Sequence, residues 1–535
     1  MKTELKTYFE NLIKEMFNIN ENVEITIPSN TEFGDFTSNI ALKISKKLGK
    51  KPIELAEEIK SHINNSKIKK VEIKNPGFIN LFVDNSYLYD NIFKVLLDAE
   101  NYGKSDIGNG QKYNIEFVSA NPTGILHLGN ARGGAYGDNL ARILSFSGYD
   151  VTKEYYINDA GNQITNLGKS IRARYLNLCN IDEDMPENGY HGPEIIEMAK
   201  KIYSLHKDEY INKDLEYYKE LGTKELLAKI IDVLKEYNIT YDVFTSEKSI
   251  YKKYSLTDIV ENLKEKGFIY ENENATWFKT SALLDDKDHV LIKTDGSYTY
   301  LLPDIAYHVD KYKRGYDKMI DVLGTDHHGY VARLKSAMKA LSYDENKIEV
   351  KLLQLVRLMN GKDIVKMSKR TGNAVTLKEL IDEVGVRAAR YFFAMRSLDT
   401  QMDFDMELAK KNSNENPFFY VSYAYARICT ILKENSDCIN IDKFTYLQEK
   451  NVEELLNCVY NFPEVVKNAA LKEMPHLITN YVYELASLFH SYYSKNRILV
   501  DNEKLQAENI YLIKAVKITI KNALNLIGVD PFEKM

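Results

Sequence analysis

Cysteine is scarce in this chain. Its four residues, Cys179, Cys429, Cys438 and Cys458, are scattered over 535 positions with no C-x-x-C pair. That spacing argues against a cysteine-built zinc site and a disulfide framework and suits free thiols in a reducing, cytoplasmic setting. Also missing is any uncharged apolar run of the ~20 residues needed to span a bilayer, so no membrane role is expected. The opening MKTELKTYFENLIKEMF has no apolar h-region and reads as an amphipathic helix rather than a signal peptide. Cationic excess is lacking too. Lysine plus arginine number 71 against 77 aspartates and glutamates, a net charge of −6. Nucleic-acid binding would therefore depend on local basic patches.

What is present is a globular composition, 44% hydrophobic and 28% charged, in a chain too long for a single core. Residues 1–105 mix helix and strand. NIALKISKKLGKKPIELAEEIK sets Ile40, Ile44 and Leu48 on one helical face, with Pro52 restarting a second helix. KKVEIKNPGFINLFV alternates around Pro76-Gly77 as a hairpin does. From YNIEFVS onward, short β-rich runs each lead through a glycine or polar turn into a helix, the pattern of a parallel α/β sheet. Residues 106–395 form this α/β part, and the charged, helical stretch at about 166–288 reads as an insertion between its halves. Beyond about 395 the strands stop. There HLITNYVYELASLFHSYY places Leu477, Tyr481, Leu485, Leu488 and Tyr492 on one face, so 396–535 is expected to be a helical bundle.

The stretch NPTGILHLGNARGG, 121–134, follows the first α/β strand. His127 stands where a helix begins, a place suited to anions. Gly129, Gly133, Gly134 and Gly137 are each about 1 kcal/mol poorer than alanine in a helix, so something there needs a close backbone. Neither G-x-G-x-x-G nor the P-loop pattern fits, and Gly168-Lys169-Ser170 lies too far from Gly161 to cradle a phosphate. Far downstream, IVKMSKRTGN is a compact cationic loop. His-x-Gly-Asn after a strand, paired with Lys-Met-Ser-Lys some 240 residues later, is seldom met by chance.

These stretches resemble the HIGH and KMSKS signatures of class I aminoacyl-tRNA synthetases. EFVSANPTGILHLGNARGGAYGD, EYYINDAGNQ, DGSYTYLLPDIAYH, GTDHHGYVARL, MRSLDTQMDFD, YVSYAYARI and LIGVDPFEKM resemble the arginyl-tRNA synthetase family in that order, as does FGDFTSNIALKISKKLGK near the start. The resemblance covers nearly the whole chain. It implies a small N-terminal α+β domain touching the tRNA elbow, a Rossmann-type catalytic domain and a helical anticodon-binding domain. The reaction implied is activation of L-arginine with ATP, then transfer to the terminal adenosine of tRNA(Arg). ATP would arrive with Mg²⁺, no zinc is expected, and the family habit is a monomer.

Carried onto this sequence, the HIGH-type motif spans Asn121, Pro122, Thr123, Gly124, Ile125, Leu126, His127, Leu128, Gly129 and Asn130. ATP would meet His127, Gly129, Asn130, Gly324, His327, His328, Lys366, Ser368 and Lys369; of these His127, Asn130, Lys366 and Lys369 act in catalysis. Asn130 replaces the usual second histidine, keeping an amide donor but losing a titratable ring. Arginine would meet Glu116, Ser119, Asn121, Tyr300, Asp304 and Asp326, with Glu116 on the α-amino group and Asp304 on the guanidinium. Asp304 shares a face with Tyr300 if a helix starts at Pro303. Candidate tRNA contacts are Phe33, Phe36 and Asn39 near the start and Tyr420, Tyr423 and Arg427 in the bundle. The rival readings are a ligase of this class for another amino acid, a nucleotidyltransferase sharing the loop, and a non-catalytic tRNA binder.

Overall fold

Strand β1, Lys112–Glu116, turns into helix α1, Leu128–Phe146, which returns the chain to β2, Asp150–Ile157. The same rhythm recurs later: helix α2, Leu301–Lys313, feeds β4, Lys318–Gly324, and helix α3, Tyr330–Ala340, feeds β5, Ile348–Leu353. With β3, Val243–Ser246, these strands make one five-stranded parallel sheet in the order β5-β4-β1-β2-β3. The order reverses between β1 and β4, where open α/β sheets hold their ligands. Helix α1 can lie close on this sheet because two of its glycines remove side chains: a Cβ at Gly137 would sit 2.3 Å from the Phe117 ring, and one at Gly134 2.9 Å from Ile239. At these two positions the close backbone serves packing, not a ligand.

The structure is a computed structural model and describes residues 1–535 apart from 27, 29, 85, 326–328, 362, 366–374, 436–438 and 448–449. Its compact units are two: Met1–Lys94 with Asn440–Asn457, and Val95–Ile439 with Cys458–Met535. In the first, a four-stranded antiparallel sheet is accompanied by helices Lys2–Phe17, Ile40–Leu48 and Pro52–His62. The expected hairpin forms, Ile68–Lys74 against Phe78–Val83.

The second unit departs from expectation in two places. The stretch 166–288 is not one insertion, because β3 within it joins the core sheet. The helices Gly161–Leu178, Pro193–His206 and Leu215–Glu236 precede that strand, around a small core of Leu167, Ile171, Ile195 and Tyr218. After it comes a three-stranded antiparallel sheet of Ile269–Asn272, Ala275–Phe278 and His289–Ile292. Nor do strands stop at 395: Met402–Asp405 pairs with Val356–Asn360. It needs only the alternation of buried Met402 and Phe404 with Asp403 and Asp405, too short a signal against the helices that follow. Gly168-Lys169-Ser170 lies inside a helix, with Ser170 buried and bonded to the Asn166 carbonyl, and so forms no phosphate loop.

Buried polar groups join the parts of this unit. Arg390 is fully buried and donates to Asp138 (2.7 Å), Asn139 (2.6 Å), and the carbonyls of Tyr237 and Ile527 (3.1 Å each). Arg132, on α1, donates to the carbonyls of Gln354, Ser397 and Thr400.

Candidate active site

At the switch point lies a cavity of about 810 Å³. Its walls come from the end of β1 and the turn after it, the start of α1, β2, α2, the end of β4 and α3. Sequence analysis placed Glu116, Ser119, Asn121, His127, Asn130, Tyr300, Asp304 and Gly324 at one site, and all eight line this cavity. Asp326, His327, His328, Lys366, Ser368 and Lys369 lie outside the described residues. The chain on either side of 366–374 is nevertheless informative. Val365 bonds back to Leu358, while Leu377 donates to the Leu126 carbonyl at 2.8 Å and Thr376 bridges His127. The chain at Thr376 and Leu377 therefore lies against the HIGH-type turn.

That turn is organised by reciprocal capping. His127 precedes the first residue of α1, and its Nδ1 accepts from the Gly129 backbone at 3.1 Å. Asn130 Oδ1 in turn accepts the His127 backbone N–H at 3.0 Å. A neutral ring that accepts at Nδ1 carries its proton on Nε2, and loss of hydration lowers the His127 pKa from the ordinary value. A Cβ at Gly129 would sit 3.0 Å from the His127 ring, so glycine lets the ring fold over the helix start.

The acidic wall is built by register. Asp321 on β4, Glu116 on β1 and Glu154 on β2 are neighbours across three parallel strands. Adjacent like charges on a sheet repel, and α2 supplies the cations. Lys311, fully buried, donates to Glu116 (2.6 Å) and Asp321 (2.7 Å). Arg314 takes both oxygens of Glu154 at 2.9 Å. His308 meets Asp321 through Nε2 at 2.9 Å and the Asp304 carbonyl through Nδ1 at 2.8 Å. Burial works to raise Asp321, but Lys311 and His308 hold it well below the carboxylate range. Burial likewise opposes the charge on Lys311, which Asp321 and Glu116 nevertheless keep above the usual lysine value.

Asp304 differs. It accepts from the Tyr330 hydroxyl at 2.7 Å, and among the described residues no cation touches its carboxylate. Burial pushes it up to about 6, the Tyr330 bond and His308 oppose this, and Glu116 and Glu247 add to it. Helix α2 begins at Leu301, not Pro303, which falls in the first turn where a missing N–H is tolerated. Tyr300 is 73% exposed at the helix start. Ser119 bridges Glu116 (2.9 Å) and the Tyr156 amide (3.1 Å), and Asn121 donates to Gln163 (2.7 Å).

Lys311, His308 and Asp321 were not singled out from sequence. A signal existed: 304, 308 and 311 follow the i, i+4, i+7 spacing of one helical face, and an aspartate in the apolar run MIDVLG is unusual in a buried strand. Of the proposed tRNA contacts, Phe33 is 44% exposed but Phe36 is buried in its sheet, out of reach of a base. Asn39 precedes helix Ile40–Leu48. Tyr420 packs on His490, and the Arg427 guanidinium lies 4.4 Å from the Tyr423 ring and 4.6 Å from that of Tyr493. Among the described residues, no group of three or more His, Cys, Asp or Glu is placed to hold a metal ion, and no helix is long and apolar enough to cross a membrane.

A HIGH-type turn at the switch point of a parallel α/β sheet defines a class I tRNA synthetase catalytic domain, and the model for the class I (R) catalytic domain matches residues 91–397. The arginyl tRNA synthetase N terminal domain matches 3–83, and the DALR anticodon binding domain 421–535. The chain is 47% identical over 526 residues to the arginine–tRNA ligase of Bacillus subtilis, and 48% over 525 to that of Anoxybacillus flavithermus, each covering 96% of this chain and 94% of the relative. In fold it matches Thermus thermophilus arginyl-tRNA synthetase with a TM-score of 0.77 at 19% identity, each chain covered completely. The chain belongs to the arginyl-tRNA synthetase family, the arginine–tRNA ligases.

Proposed function

We propose that the cavity at the β1/β4 switch point is where L-arginine and ATP react, and that the product is passed to the 3′-terminal adenosine of tRNA(Arg). The observation that carries this assignment is Asp304, a half-buried carboxylate facing the cavity with a hydroxyl partner and, among the described residues, no cation on it. A guanidinium supplies a planar, permanently charged fork for such a group. Glu116, fixed by Lys311 and Ser119, receives the α-ammonium group. The arginine carboxylate oxygen then attacks the α-phosphorus of ATP; an O–P bond forms, the bond to the bridging oxygen breaks, and pyrophosphate leaves. No enzyme nucleophile is required, so catalysis is positioning and charge stabilisation.

His127 donates from Nε2 to a phosphate oxygen, and Asn130 keeps that ring at the helix start. Lys366 and Lys369, with Ser368, bring donors to the β- and γ-phosphates. His327, His328 and Gly324 line the nucleotide side, and Asp326 adds to the arginine side. Mg²⁺ enters with ATP on phosphate oxygens, as part of the substrate.

The segment 1–105 takes the tRNA elbow with Phe33 and Asn39, and 396–535 takes the anticodon with Tyr420, Tyr423 and Arg427. The enzyme works as a monomer in the cytoplasm. The test is pyrophosphate exchange into ATP, with and without tRNA, using arginine, lysine and glutamate in parallel. Exchange with arginine alone among the three supports the assignment. Exchange with none, despite tRNA binding, would leave a non-catalytic binder.

A further inference from the structure

Helix α2 lies across a row of three carboxylates, Asp321, Glu116 and Glu154, that neighbouring strands place in register. Its last turn and the residue that caps it carry the cations that make the row tolerable: Lys311 on Asp321 and Glu116, and Arg314 on Glu154. Its first turn carries Asp304, which receives no cation among the described residues and faces the cavity. One helix thus compensates the strand carboxylates and leaves its own exposed to the ligand. We propose that Lys311 is the positioning residue of the amino-acid pocket: by bridging Glu116 and Asp321 it offsets the repulsion between them and fixes Glu116 for a substrate ammonium group, and leaves Asp304 as the carboxylate open to a guanidinium.

The burial of Lys311 is what gives it this leverage. An ammonium group fully removed from water keeps its charge only against carboxylates. Removing it strands Glu116 beside Asp321, two like charges on adjacent strands. The groups facing Glu116 are Lys311, Tyr307 and Asp304 from α2 and Asp321 from β4. Glu154, paired with Arg314, and Tyr156 face it from β2, Tyr241 from just before β3, and Tyr330 from α3. Among the described residues Lys311 is the one cation bonded to Glu116 itself. Its loss therefore moves Glu116 toward the protonated form, in which it no longer attracts an ammonium group.

This inference rests on the reading that Glu116 and Asp304 receive arginine, and the experiment separates the two. Full-length Lys311→Met, Lys311→Arg, Asp321→Asn and Asp304→Asn are assayed by tRNA-dependent pyrophosphate exchange from pH 5.5 to 9. For Lys311→Met the arginine KM at neutral pH should rise at least about tenfold, with the ATP KM held within about twofold. The acid limb of the arginine profile should move to higher pH, so that raising the pH recovers much of the loss. Lys311→Arg should keep the limb in place, and Asp321→Asn, which leaves Lys311 to Glu116 alone, should not move it upward. An unmoved limb in Lys311→Met, or equal upward shifts in Lys311→Met and Asp321→Asn, overturns the proposal. Should Lys311→Met fail to fold, an upward limb in Asp321→Asn overturns it and an unmoved or lowered one supports it. If Asp304→Asn leaves the arginine KM unchanged, the underlying reading fails whatever Lys311 does.

Discussion

Asn130 accepts the backbone N–H of His127 through Oδ1 at 3.0 Å, three residues ahead of it across the first turn of α1. A side chain that replaces the signature's second histidine has thus become half of a reciprocal cap, with His127 Nδ1 taking the Gly129 N–H. Removing it with Asn130→Ala should cost about 1 kcal/mol of stability, the usual worth of a lost cap. The larger effect should be on turnover, because the His127 ring loses its frame. Thermal unfolding and exchange kinetics on one preparation test both. A variant with normal exchange would make Asn130 a cap and nothing more.

His127→Ala should slow exchange by about 10²-fold, the scale for losing one preorganised donor at a developing charge. The arginine KM should change little, since the role proposed for the ring is toward the nucleotide. Because desolvation lowers the His127 pKa, the ring acts as a neutral donor. The kcat profile of the native enzyme should therefore show no limb at the ordinary histidine value near 6.5. A kcat that falls with rising pH through 6.5 would mean that the imidazolium is the working form.

Asp304 couples affinity to stability. Its carboxyl titrates near 6 in the folded chain against an ordinary 3.8. A raised carboxylate pKa means that the folded state holds the proton more tightly. The penalty of ionising it is absent below 3.8, grows between 3.8 and 6, and is complete above 6. Its upper bound is about 3 kcal/mol. Asp304→Asn should accordingly raise the melting temperature of the free enzyme at pH 7.5 while weakening arginine. The native arginine KM should climb as pH falls below about 6.

Arg390 is another buried cation, outside the lining of the cavity. Among the described residues, Arg390→Met leaves the buried Asp138 with only Arg142 and Lys153 as cations beside it, and should destabilise the chain by about 3–5 kcal/mol. Gly528 should behave similarly. It has φ +66, and a Cβ there would lie 2.2 Å from an Arg390 Nη that is already bonded. Gly528→Ala should therefore lower the melting temperature without changing the arginine KM of the folded fraction. Urea unfolding monitored alongside exchange separates these outcomes.

The sheet, the turn and the helix after it were legible because their signals are local. A β-rich run, a glycine turn and a helical period fit within 35 residues. Strand β3 was not, since four residues between a long helix and a short one carry too little pattern. The cavity's outward residues were legible through the resemblance, whereas Lys311 and Asp321 were hidden by their surroundings. A lysine near the end of an amphipathic helix reads as solvated, and nothing in the chain says that Glu116 and Asp321 come into register 205 residues apart. Phe36 misled for the converse reason: an aromatic two residues after a glycine looks like a contact until the sheet closes over it.

The most direct measurement compares arginine with citrulline, which keeps the shape and exchanges the guanidinium for a neutral urea. Exchange is followed with each, for the native chain and for Asp304→Asn. The acidic cavity predicts that native kcat/KM favours arginine by at least about 10³-fold, and that the Asn variant narrows the gap mainly by losing arginine. An unchanged ratio in the variant would contradict the assignment of Asp304, and with it the claim that this cavity selects its substrate by charge.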